Sequence, residues 1–351
     1  MVPVERVGLV VHGGKEAALA AAQEVRKWAA EHGIPCVDID VWDDQDGHRL
    51  NAREEAARAG NPDLIVTVGG DGTFLRGVRI AGPIEALVLG VNVGRVGFLT
   101  EVRTDDVRSA LDSVQRGEMT VDPRMTLTMR ASRPLEIPEG IEAMLRYGRG
   151  PTLPPPHVRP GLKSEAGWGV PLDVLALNDI VVEKLARDRQ ASLAVYVGGK
   201  LFASYSADAL IVASSTGSTA YSFAAGGPIV SPRLDALVFT PVAAHMVFNR
   251  SVVLDCSQRV GILVLEHSGQ VAVSVDGQLR GVLNPGDWIS VYGAQKRSKL
   301  VRLSEPDFLG KVRDRFGLTD SAAALADGQA PAYAPNEPVP DDLAHPGPVP
   351  E

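Results

Sequence analysis

Cysteine is almost absent from this 351-residue chain. Cys36 and Cys256 are the only two, and neither has a second cysteine or a histidine at the spacing of a zinc site. A disulfide framework and a structural zinc site are therefore excluded, and we expect inert thiols in a reducing, cytoplasmic compartment. Aromatic residues are also few, at 5%, beside an apolar content of 45%. That balance favours an α/β or α+β protein, long enough for two domains with separate cores.

Long apolar runs and a surplus of positive charge are absent as well. No segment of 18 apolar residues occurs, and Glu5 and Arg6 do not fit the start of a signal peptide. Residues 318–351 contain six acidic residues and no Lys or Arg, so they carry −6 of the net charge of −8 and leave −2 for the rest. We predict that they form a disordered acidic tail, and that the protein binds neither nucleic acid nor a membrane.

Two common nucleotide-binding motifs are missing. Gly13-Gly14-Lys15-Glu16 has neither the spacing nor the hydroxyl of the G-x-x-x-x-G-K-[ST] loop. No G-x-G-x-x-G fingerprint for dinucleotides occurs either. A hydride-transferring enzyme of the Rossmann type is therefore not expected.

The first third of the chain alternates predicted strands and helices. Ala18, Ala22, Val25 and Ala29 share one face of a predicted helix that ends at Gly33. Strands are predicted at Val7–Val11, Cys36–Val41, Leu64–Val68 and Ala86–Val91. The pattern predicts an α/β domain over residues 1–120 with a mostly parallel sheet, whose ligands lie beyond the carboxyl ends of the strands.

The hydrophobic period changes to two from about residue 121. Alternating segments around Leu127, Leu193 and Val273, with turn signals at Gly198-Gly199 and Asp276-Gly277, predict a β-rich, sandwich-like domain over residues 121–303. Eight prolines in residues 133–171 predict a long surface insertion. Residues 304–317 predict a short helix with Ser304 as its cap and Pro306 in its first turn.

The most informative motif is Gly69-Gly70-Asp71-Gly72-Thr73-Phe74, directly after an apolar strand. Three glycines within four residues let the backbone turn tightly and let its N–H groups converge on an anion. A carboxylate repels such an anion, so Asp71 is predicted to act as a base or to organise magnesium near a hydroxyl. The structural alternative is a glycine-rich turn with Asp71 as a helix cap.

Three other segments carry polar groups that suit a nucleotide. Asn178-Asp179 follows an apolar segment and could bind an adenine edge or ribose hydroxyls, or form an Asx turn. Five hydroxyl side chains surround Gly217 in residues 214–219, ahead of Ala220 and Tyr221, and could bind a polar ligand or form a polar surface turn. Asn92, with Gly94 and Gly97, could lie beside the first motif.

In this order, these segments resemble the NAD kinase family over most of residues 5–318. The Thr-Gly-Ser-Thr-Ala-Tyr loop at residues 216–221 is the specific part, because Gly-Gly-Asp-Gly-Thr is shared with diacylglycerol and sphingosine kinases. The resemblance implies transfer of a phosphoryl group from ATP or polyphosphate to the adenosine-ribose 2′-hydroxyl of NAD. It also implies Mg²⁺, a homodimer or homotetramer with site residues shared between subunits, and a return of the helix at 304–317 to the first domain.

The resemblance assigns roles residue by residue. Asp71 is the predicted catalytic base, and no residue is assigned as a direct metal ligand. Asp208 is implied to contact the nicotinamide half of NAD. The residues expected to bind substrate or cofactor are Gly69, Gly70, Gly72, Thr73, Phe74, Asn92, Asn178, Asp179, Ser206, Asp208, Thr216, Gly217, Ser218, Thr219, Ala220 and Tyr221.

Four features depart from the family pattern. Alanines instead of glycines flank Asp208, which would narrow that site if the backbone needed a positive φ there. Ser214-Ser215 replaces a usual Thr-Pro, and Asp179 stands where Glu is usual. Ser206 occupies a position often taken by arginine in NAD-specific bacterial members, which predicts that NADH is also accepted.

Two alternatives remain open from the sequence. A diverged, non-catalytic relative could bind NAD(H) or NADP(H) and report it to a partner, although a sensor has no use for a base at Asp71. A lipid kinase would need an apolar or membrane-facing surface, and the near-neutral body offers no anchor for one.

Overall fold

The computed structural model describes residues 4–40, 50–94, 97–141, 153–159, 168–185 and 189–318. Residues through Phe308 belong to one compact unit, and a second unit begins at Leu309. Most of the first unit's residues lie in an N-terminal α/β layer and a C-terminal β region. Apart from Leu318, the predicted acidic tail lies outside the described residues.

The N-terminal region is built on a mixed, mostly parallel sheet. Its strands are β1 (Val7–Val11), β2 (Cys36–Asp38), β3 (Leu64–Gly69), β4 (Leu87–Asn92), β5 (Val102–Arg103), β6 (Thr120–Arg124) and β19 (Ser298–Arg302). The order is β2-β1-β3-β4-β19-β6, with β5 beside β4. Only the β19–β6 pair is antiparallel. The last two strands in this order are β19, which lies outside the predicted domain of residues 1–120, and β6, which begins at its final residue.

Helices cover both faces of this sheet, as its fully apolar strands require. They are α1 (Glu16–Glu31), α2 (Ala52–Arg58), α3 (Asp71–Ile84) and α4 (Val107–Arg116), with a 3-10 turn at Thr104–Asp106. Trp28 of α1 and Leu111 of α4 belong to one buried cluster, and Phe74 and Ile80 of α3 belong to another. The predicted face of α1 is correct, since Ala18, Ala22, Val25 and Ala29 are all buried.

The C-terminal region consists of two antiparallel sheets that share one core, and this confirms the predicted fold class. Its strands are β7 (Leu127–Ala131), β8 (Val170–Pro171), β9 (Asp179–Lys184), β10 (Ala191–Val197), β11 (Lys200–Ala207), β12 (Ala209–Ser214), β13 (Ala236–Val242), β14 (Val252–Asp255), β15 (Arg259–Val264), β16 (Val271–Val275), β17 (Gln278–Leu283) and β18 (Trp288–Gly293). The strand orders are β11-β10-β15-β18-β7-β8 and β14-β13-β12-β9-β16-β17. Leu193, Val212, Phe239 and Ile289 are among the residues packed between them.

Both predicted hairpin turns are present. Gly198-Gly199 joins β10 to β11, and Asp276-Gly277 joins β16 to β17. All four residues have positive φ, which is the backbone geometry of a tight two-residue hairpin turn. Asp276 is the one that carries a side chain, so this turn also presents a carboxylate.

Two sequence-based expectations need correction. Residues 304–307 are not helical: α6 is Phe308–Phe316, and Ser304 instead donates its backbone N–H and its hydroxyl to Glu101 Oε1. The predicted surface insertion is partly internal, because Leu135 lies in the core and Leu153 is 7% exposed. Residues 142–152 and 160–167 lie outside the described part of the insertion. Within the described residues, no helix is long and apolar enough to cross a membrane.

Candidate functional site

The Gly-Gly-Asp-Gly-Thr motif connects the carboxyl end of β3 to the start of α3. Gly70 is the residue before the helix, with φ −99° and ψ −171°, and it provides no side-chain cap. The first N–H groups of an α-helix have no acceptor within the helix, and the helix dipole adds partial positive charge there. This end of α3 is therefore suited to an anion such as a phosphate.

The three glycines of the motif serve two different purposes. A Cβ on Gly69 would lie 2.3 Å from Thr73 Oγ1, so glycine is needed there for packing. A Cβ on Gly70 or Gly72 would meet nothing within 4 Å, and both residues line a large cleft. None of the three has a positive φ, so no left-handed backbone conformation requires glycine here. Close packing requires glycine at residue 69, while Gly70 and Gly72 leave the backbone open to the cleft.

Asp71 lies between the two cleft-lining glycines, but its carboxylate is directed to the neighbouring loop. Its two oxygens accept hydrogen bonds from the backbone N–H groups of Phe98 and Leu99, each at 3.2 Å. A Cβ on Gly97 would lie 2.1 Å from Asp71 Oδ1, so glycine at 97 makes room for the carboxylate. Asp71 is therefore held at the motif by two amides, adjacent to the cleft and not among its lining residues.

The Asn178-Asp179 segment is fixed by a carboxylate that the sequence marked only as part of a turn. Asp276 accepts the N–H groups of Leu177, Asn178 and Asp179 at 2.9, 2.7 and 3.1 Å. In return, Asp276 donates its own N–H to the carbonyl of Asp179 at 2.9 Å. Asn178, Asp179 and Asp276 all line the cleft, so this arrangement presents an amide and two carboxyl groups to a ligand.

The two carboxyl groups differ in their surroundings. Burial, with a smaller contribution from the charge of Asp276, raises the pKa of Asp179 to about 8. Burial also raises the pKa of Asp276, to about 6, while the three backbone N–H donors oppose the rise. Asp276 consequently ionises first, and Asp179 keeps its proton at neutral pH. A protonated Asp179 can donate a hydrogen bond as well as accept one.

The hydroxyl-rich loop comprises a 3-10 turn at Thr216–Thr219 and the short helix α5 (Tyr221–Ala224). Most of its hydroxyls bond to nearby backbone and do not face the cleft, contrary to expectation. Ser214 donates to Leu177 O at 2.5 Å and accepts from Gly217 N at 3.1 Å. Ser218 donates to Val230 O and accepts from Val230 N. The hydroxyls thus set the loop's shape.

Gly217 brings this loop against the Asn178 segment. A Cβ at residue 217 would lie 2.0 Å from the carbonyl oxygen of Asn178, a backbone atom that cannot move aside cheaply. The close approach carries Ala220 and Tyr221 to the wall of the cleft, where they stand with Asn178 and Asp179. Tyr221 is 43% exposed, so its ring is accessible for stacking on a base.

The cleft has a volume of about 1930 Å³, larger than the roughly 300–1,000 Å³ of ordinary ligand pockets. One face of α3 forms one wall, and the β16–β17 turn and the strand end at Asn178 form another. Its lining includes seven Lys or Arg residues and four Asp or Glu residues. One of those acids, Asp179, is neutral at pH 7, so the cleft favours an extended, negatively charged ligand.

Comparison with known proteins agrees with this geometry. Sequence models of the ATP-NAD kinase N-terminal and C-terminal domains match residues 7–119 and 177–303. "NAD kinase 1" of Streptomyces coelicolor is 61% identical over 343 residues, which cover 97% of this chain and 94% of that protein. The chain belongs to the NAD kinase family. The NAD kinase of Heliobacterium modesticaldum is 35% identical over 310 residues, covering 88% and 98% of the two chains.

Two solved structures share the NAD kinase fold of this chain. Yeast NADH kinase complexed with NADH has a TM-score of 0.69 at 21% identity, covering 92% of this chain and 90% of that one. An NAD kinase from Archaeoglobus fulgidus in complex with ATP has a TM-score of 0.58 at 23% identity, with coverages of 88% and 98%. At these identities the likeness concerns the fold, and it confirms the combination of α/β and two-sheet regions.

The structure brings together only some of the residues predicted from the NAD kinase resemblance. Gly70, Gly72, Thr73, Asn178, Asp179, Ala220 and Tyr221 line the cleft, whereas Gly69, Asp71, Phe74, Asn92, Thr216, Gly217, Ser218 and Thr219 are not among its lining residues. Asn92 pairs with Gly69 across β4 and β3, and its side chain donates to Gly94 O.

Ser206 and Asp208 are not among the residues that line the cleft, although Glu183, which pairs with Ala209 beside Asp208, is one of them. Asp208 adjoins the end of β12 where Ala209 pairs with Glu183, while Asp179 pairs with Ala213 at the other end. At about 3.3 Å per residue, five residues of strand separate the two ends by about 16 Å. Asp208 forms an ion pair with Lys184 at 2.6 Å. Neither Ala207 nor Ala209 has a positive φ, so the alanines that flank Asp208 cause no backbone strain.

Several residues that line the cleft were not predicted from the sequence. Asp276 was identified only as a turn residue, although a carboxylate in an Asp-Gly turn that faces a polar segment is a detectable signal. Arg280, His157 and Arg159 also line the cleft, and the last two belong to the proline-rich insertion. No sequence pattern marks the side chains of an insertion as part of a wall, because their placement depends on tertiary packing.

The raised pKa of Asp179 predicts a pH-dependent stability. The folded protein keeps a proton that the unfolded chain releases above about pH 3.8, so this contribution is present below that pH and is lost as the pH rises through about 8. Asp179→Asn removes the titrating group and should stabilise the fold by about 1–3 kcal/mol at high pH, with little effect near pH 4. Thermal unfolding of the ligand-free protein at several pH values measures this difference.

The exposed Asp105 offers a matched control for that series. Asp105→Asn changes the same atoms on the surface, so its Tm at each pH is the reference for that of Asp179→Asn. A stabilisation by Asp179→Asn that does not grow with pH would contradict the assignment of a protonated Asp179.

Proposed function

We propose that the chain transfers the terminal phosphoryl group of ATP or inorganic polyphosphate to the adenosine-ribose 2′-hydroxyl of NAD, and so makes NADP. The observation that carries this proposal is the 61% identity, over nearly the whole chain, with a protein named NAD kinase 1. The cleft supports it independently, because it offers free helix amides and an excess of cations to a ligand rich in phosphates.

The residues divide into groups for binding and for chemistry. Asn178, Asp179, Ala220 and Tyr221 hold the adenosine half of the dinucleotide, with the Tyr221 ring against the base. Asp71 accepts the proton of the 2′-hydroxyl as the bond to phosphorus forms. The open backbone at Gly70 and Gly72 lets the transferred phosphoryl group approach the helix amides, which stabilise its developing negative charge.

Magnesium fits this site only together with the phosphates. Within the described residues, no group of three His, Cys, Asp or Glu side chains could hold a metal ion. Mg²⁺ commonly keeps several waters and binds through one or two carboxylates plus substrate phosphates. Asp71, in the first turn of α3, is the carboxylate that would hold Mg²⁺ together with the phosphates, and bound Mg²⁺ would neutralise charge on the phosphoryl oxygens.

The direct test is an assay of donor against acceptor. Purified protein is mixed with NAD or NADH, with ATP or polyphosphate, and with Mg²⁺, and NADP(H) is measured with an NADP-specific dehydrogenase. We expect turnover with NAD, and also with NADH because Ser206 is neutral and bonds to Gln190. Binding of NAD without turnover under every donor would instead favour the non-catalytic sensor.

A homodimer or homotetramer forms part of the proposal. Leu201, Phe202, Val247, Phe248 and Val253 are exposed apolar residues at or near the edge strands β11 and β14, and Phe202 packs edge-on against Phe248. Such a patch is typical of a protein interface. Because Asp208 does not line this chain's own cleft, we expect its predicted contact with the nicotinamide half to form in the cleft of another subunit. Analytical ultracentrifugation measures the oligomeric state.

A further inference from the structure

Arg280 is a buried cation with no hydrogen-bonded partner among the described residues. It is 8% exposed, and its guanidinium makes no hydrogen bond or ion pair within the described part of the chain. Its Nε is fully buried, and the residue lines the cleft. Burying a charge that has no hydrogen-bonded partner is costly, so a side chain of this kind is suited to an anionic ligand.

A β-bulge directs Arg280 to this position. Val273 pairs with Gly281 and Ser274 pairs with Leu279, so Arg280 is the extra residue on β17 that faces no residue of β16. Bulges re-aim side chains and are frequent beside functional sites. Here the bulge comes four residues after Asp276, on the same hairpin. The hairpin therefore supplies both the carboxylate that fixes the Asn178 segment and a cation for another part of the cleft.

Two further arginines, Arg79 and Arg76, belong to the same group of charges as Arg280. Arg79 of α3 is ion-paired with Glu55 of α2, yet its Nε is buried without a partner. The charges of Arg79, Arg280 and Arg76 all act on the Glu55 carboxyl, so the four groups form one cluster. The acidic charges that act on Arg280 are those of Asp173 and Glu55. Burial, followed by the charge of Arg79, lowers the pKa of Arg280 to about 10, while the charges of Asp173 and Glu55 oppose the shift.

Arg76 and Arg79 lie on α3 after the Gly-Gly-Asp-Gly-Thr motif, which begins that helix. Arg76 and Arg79 line the cleft on the same helix face as Gly72. Nine residues separate Gly70 from Arg79, which corresponds to about 13 Å of helix. An anion at the arginines and a phosphoryl group at the helix amides would therefore occupy two points of the same cleft.

We propose that Arg280, with Arg79 and Arg76, forms a second phosphate subsite that binds the phosphate chain of a ligand already engaged at the start of α3. Guanidinium groups bind phosphate oxygens through paired, charge-assisted hydrogen bonds, and Arg280 and Arg79 each have a buried Nε donor with no hydrogen-bond partner among the described residues. The chain belongs to ATP, to inorganic polyphosphate or to the pyrophosphate of the dinucleotide. This subsite rests on the proposed function for the identity of its ligand, and not for its anion binding.

Binding of inorganic tripolyphosphate tests the subsite without catalysis. Calorimetry should show that Arg280→Gln lowers the affinity of the full-length protein by about 10–100-fold. Arg116→Gln, an equal change at an exposed arginine paired with Glu118, should leave it unchanged. Glu55→Gln keeps every arginine and removes the opposing charge, so it should tighten binding. An affinity unaffected by Arg280→Gln, or no detectable tripolyphosphate binding by the wild type, would overturn the proposal.

The source of the phosphates follows from steady-state kinetics. Arg280→Gln should raise the KM for ATP, polyphosphate or NAD, and the substrate whose KM rises is the one that occupies the subsite. A loss of ground-state binding leaves kcat nearly unchanged. If no KM rises, the subsite does not serve the reaction and the proposal fails, while NADP formation by the wild type would still stand.

Stability provides a readout that separates a binding role from a structural one. If Arg280 is retained for a ligand, Arg280→Met should raise the Tm of the ligand-free protein, because an apolar side chain replaces an unpaired charge. Tripolyphosphate should raise the Tm of the wild type more than that of Arg280→Met. A lower Tm for Arg280→Met, together with an equal response to tripolyphosphate, would show that Arg280 only supports the fold.

Discussion

Asp71→Asn should lower kcat for NADP formation by about 10²–10⁴-fold, the usual contribution of a positioned general base. The substitution keeps the size of the side chain but removes its ability to take a proton. Dinucleotide affinity should stay within a few-fold, because Asn178, Asp179 and Tyr221 remain in place. Coupled assays of NADP formation and titration of NAD by calorimetry measure the two quantities separately.

Asp63 allows a closely matched control for Asp71. It adjoins the opposite end of β3, and its carboxylate likewise accepts two backbone N–H groups, those of Glu5 and Arg6, at 2.8 Å each. Asp63→Asn should therefore cost similar stability and leave kcat unchanged. Equal kcat in Asp71→Asn and wild type would remove Asp71 from the mechanism. A parallel loss in Asp63→Asn would trace the effect to stability and not to proton transfer.

Asp276→Ala should destabilise the protein by about 2–5 kcal/mol and weaken NAD binding by at least about tenfold. Three backbone N–H groups lose their shared acceptor, and each unsatisfied buried donor costs about 1–3 kcal/mol. Loss of the charge beside Asp179 offsets part of this cost. Alanine is also strained at the φ of +47° that this residue adopts. Chemical denaturation and calorimetric titration of NAD measure the two effects.

Asp276→Asn is the variant at the same position with which Asp276→Ala is compared. Asparagine tolerates positive φ and keeps one oxygen, Oδ1, for the amides of Asn178 and Asp179. We therefore expect its stability and its NAD affinity to fall between those of the wild type and Asp276→Ala. Equal stability of the alanine and asparagine variants would contradict the idea that the carboxylate holds the Asn178 segment.

The fold was predictable from the sequence wherever the local residue pattern of a segment agrees with its surroundings in the structure. The face of α1, the apolar strands β1, β3 and β4 and the two glycine-containing hairpin turns all have short-range signals, and all are present. The start of α6 was not predictable in this way, because Ser304 donates a hydrogen bond to Glu101, a residue about 200 positions away. Strand β19 joins the first sheet from the far end of the chain, and no local pattern records such a pairing.

The site was predictable in its motifs and not in its geometry. Gly70, Gly72, Asn178 and Tyr221 reach the cleft because their segments end neighbouring strands or begin helices. Ser218 could equally have bound a ligand or its own backbone, and only the fold shows that it bonds to Val230. Burial likewise decides the protonation of Asp179, which depends on packing that composition does not reveal.

The wall contributed by residues 153–159 has a consequence for chemical selectivity. Leu153, His157 and Arg159 line the cleft, and His157 Nδ1 lies 3.2 Å from Asn51 Nδ2. This stretch falls outside both family-matched ranges, 7–119 and 177–303. A small molecule that spans from Tyr221 to Leu153 would combine a shared anchor with a surface peculiar to chains that carry this insertion. Inhibitors of this shape could discriminate among enzymes whose reaction chemistry is the same.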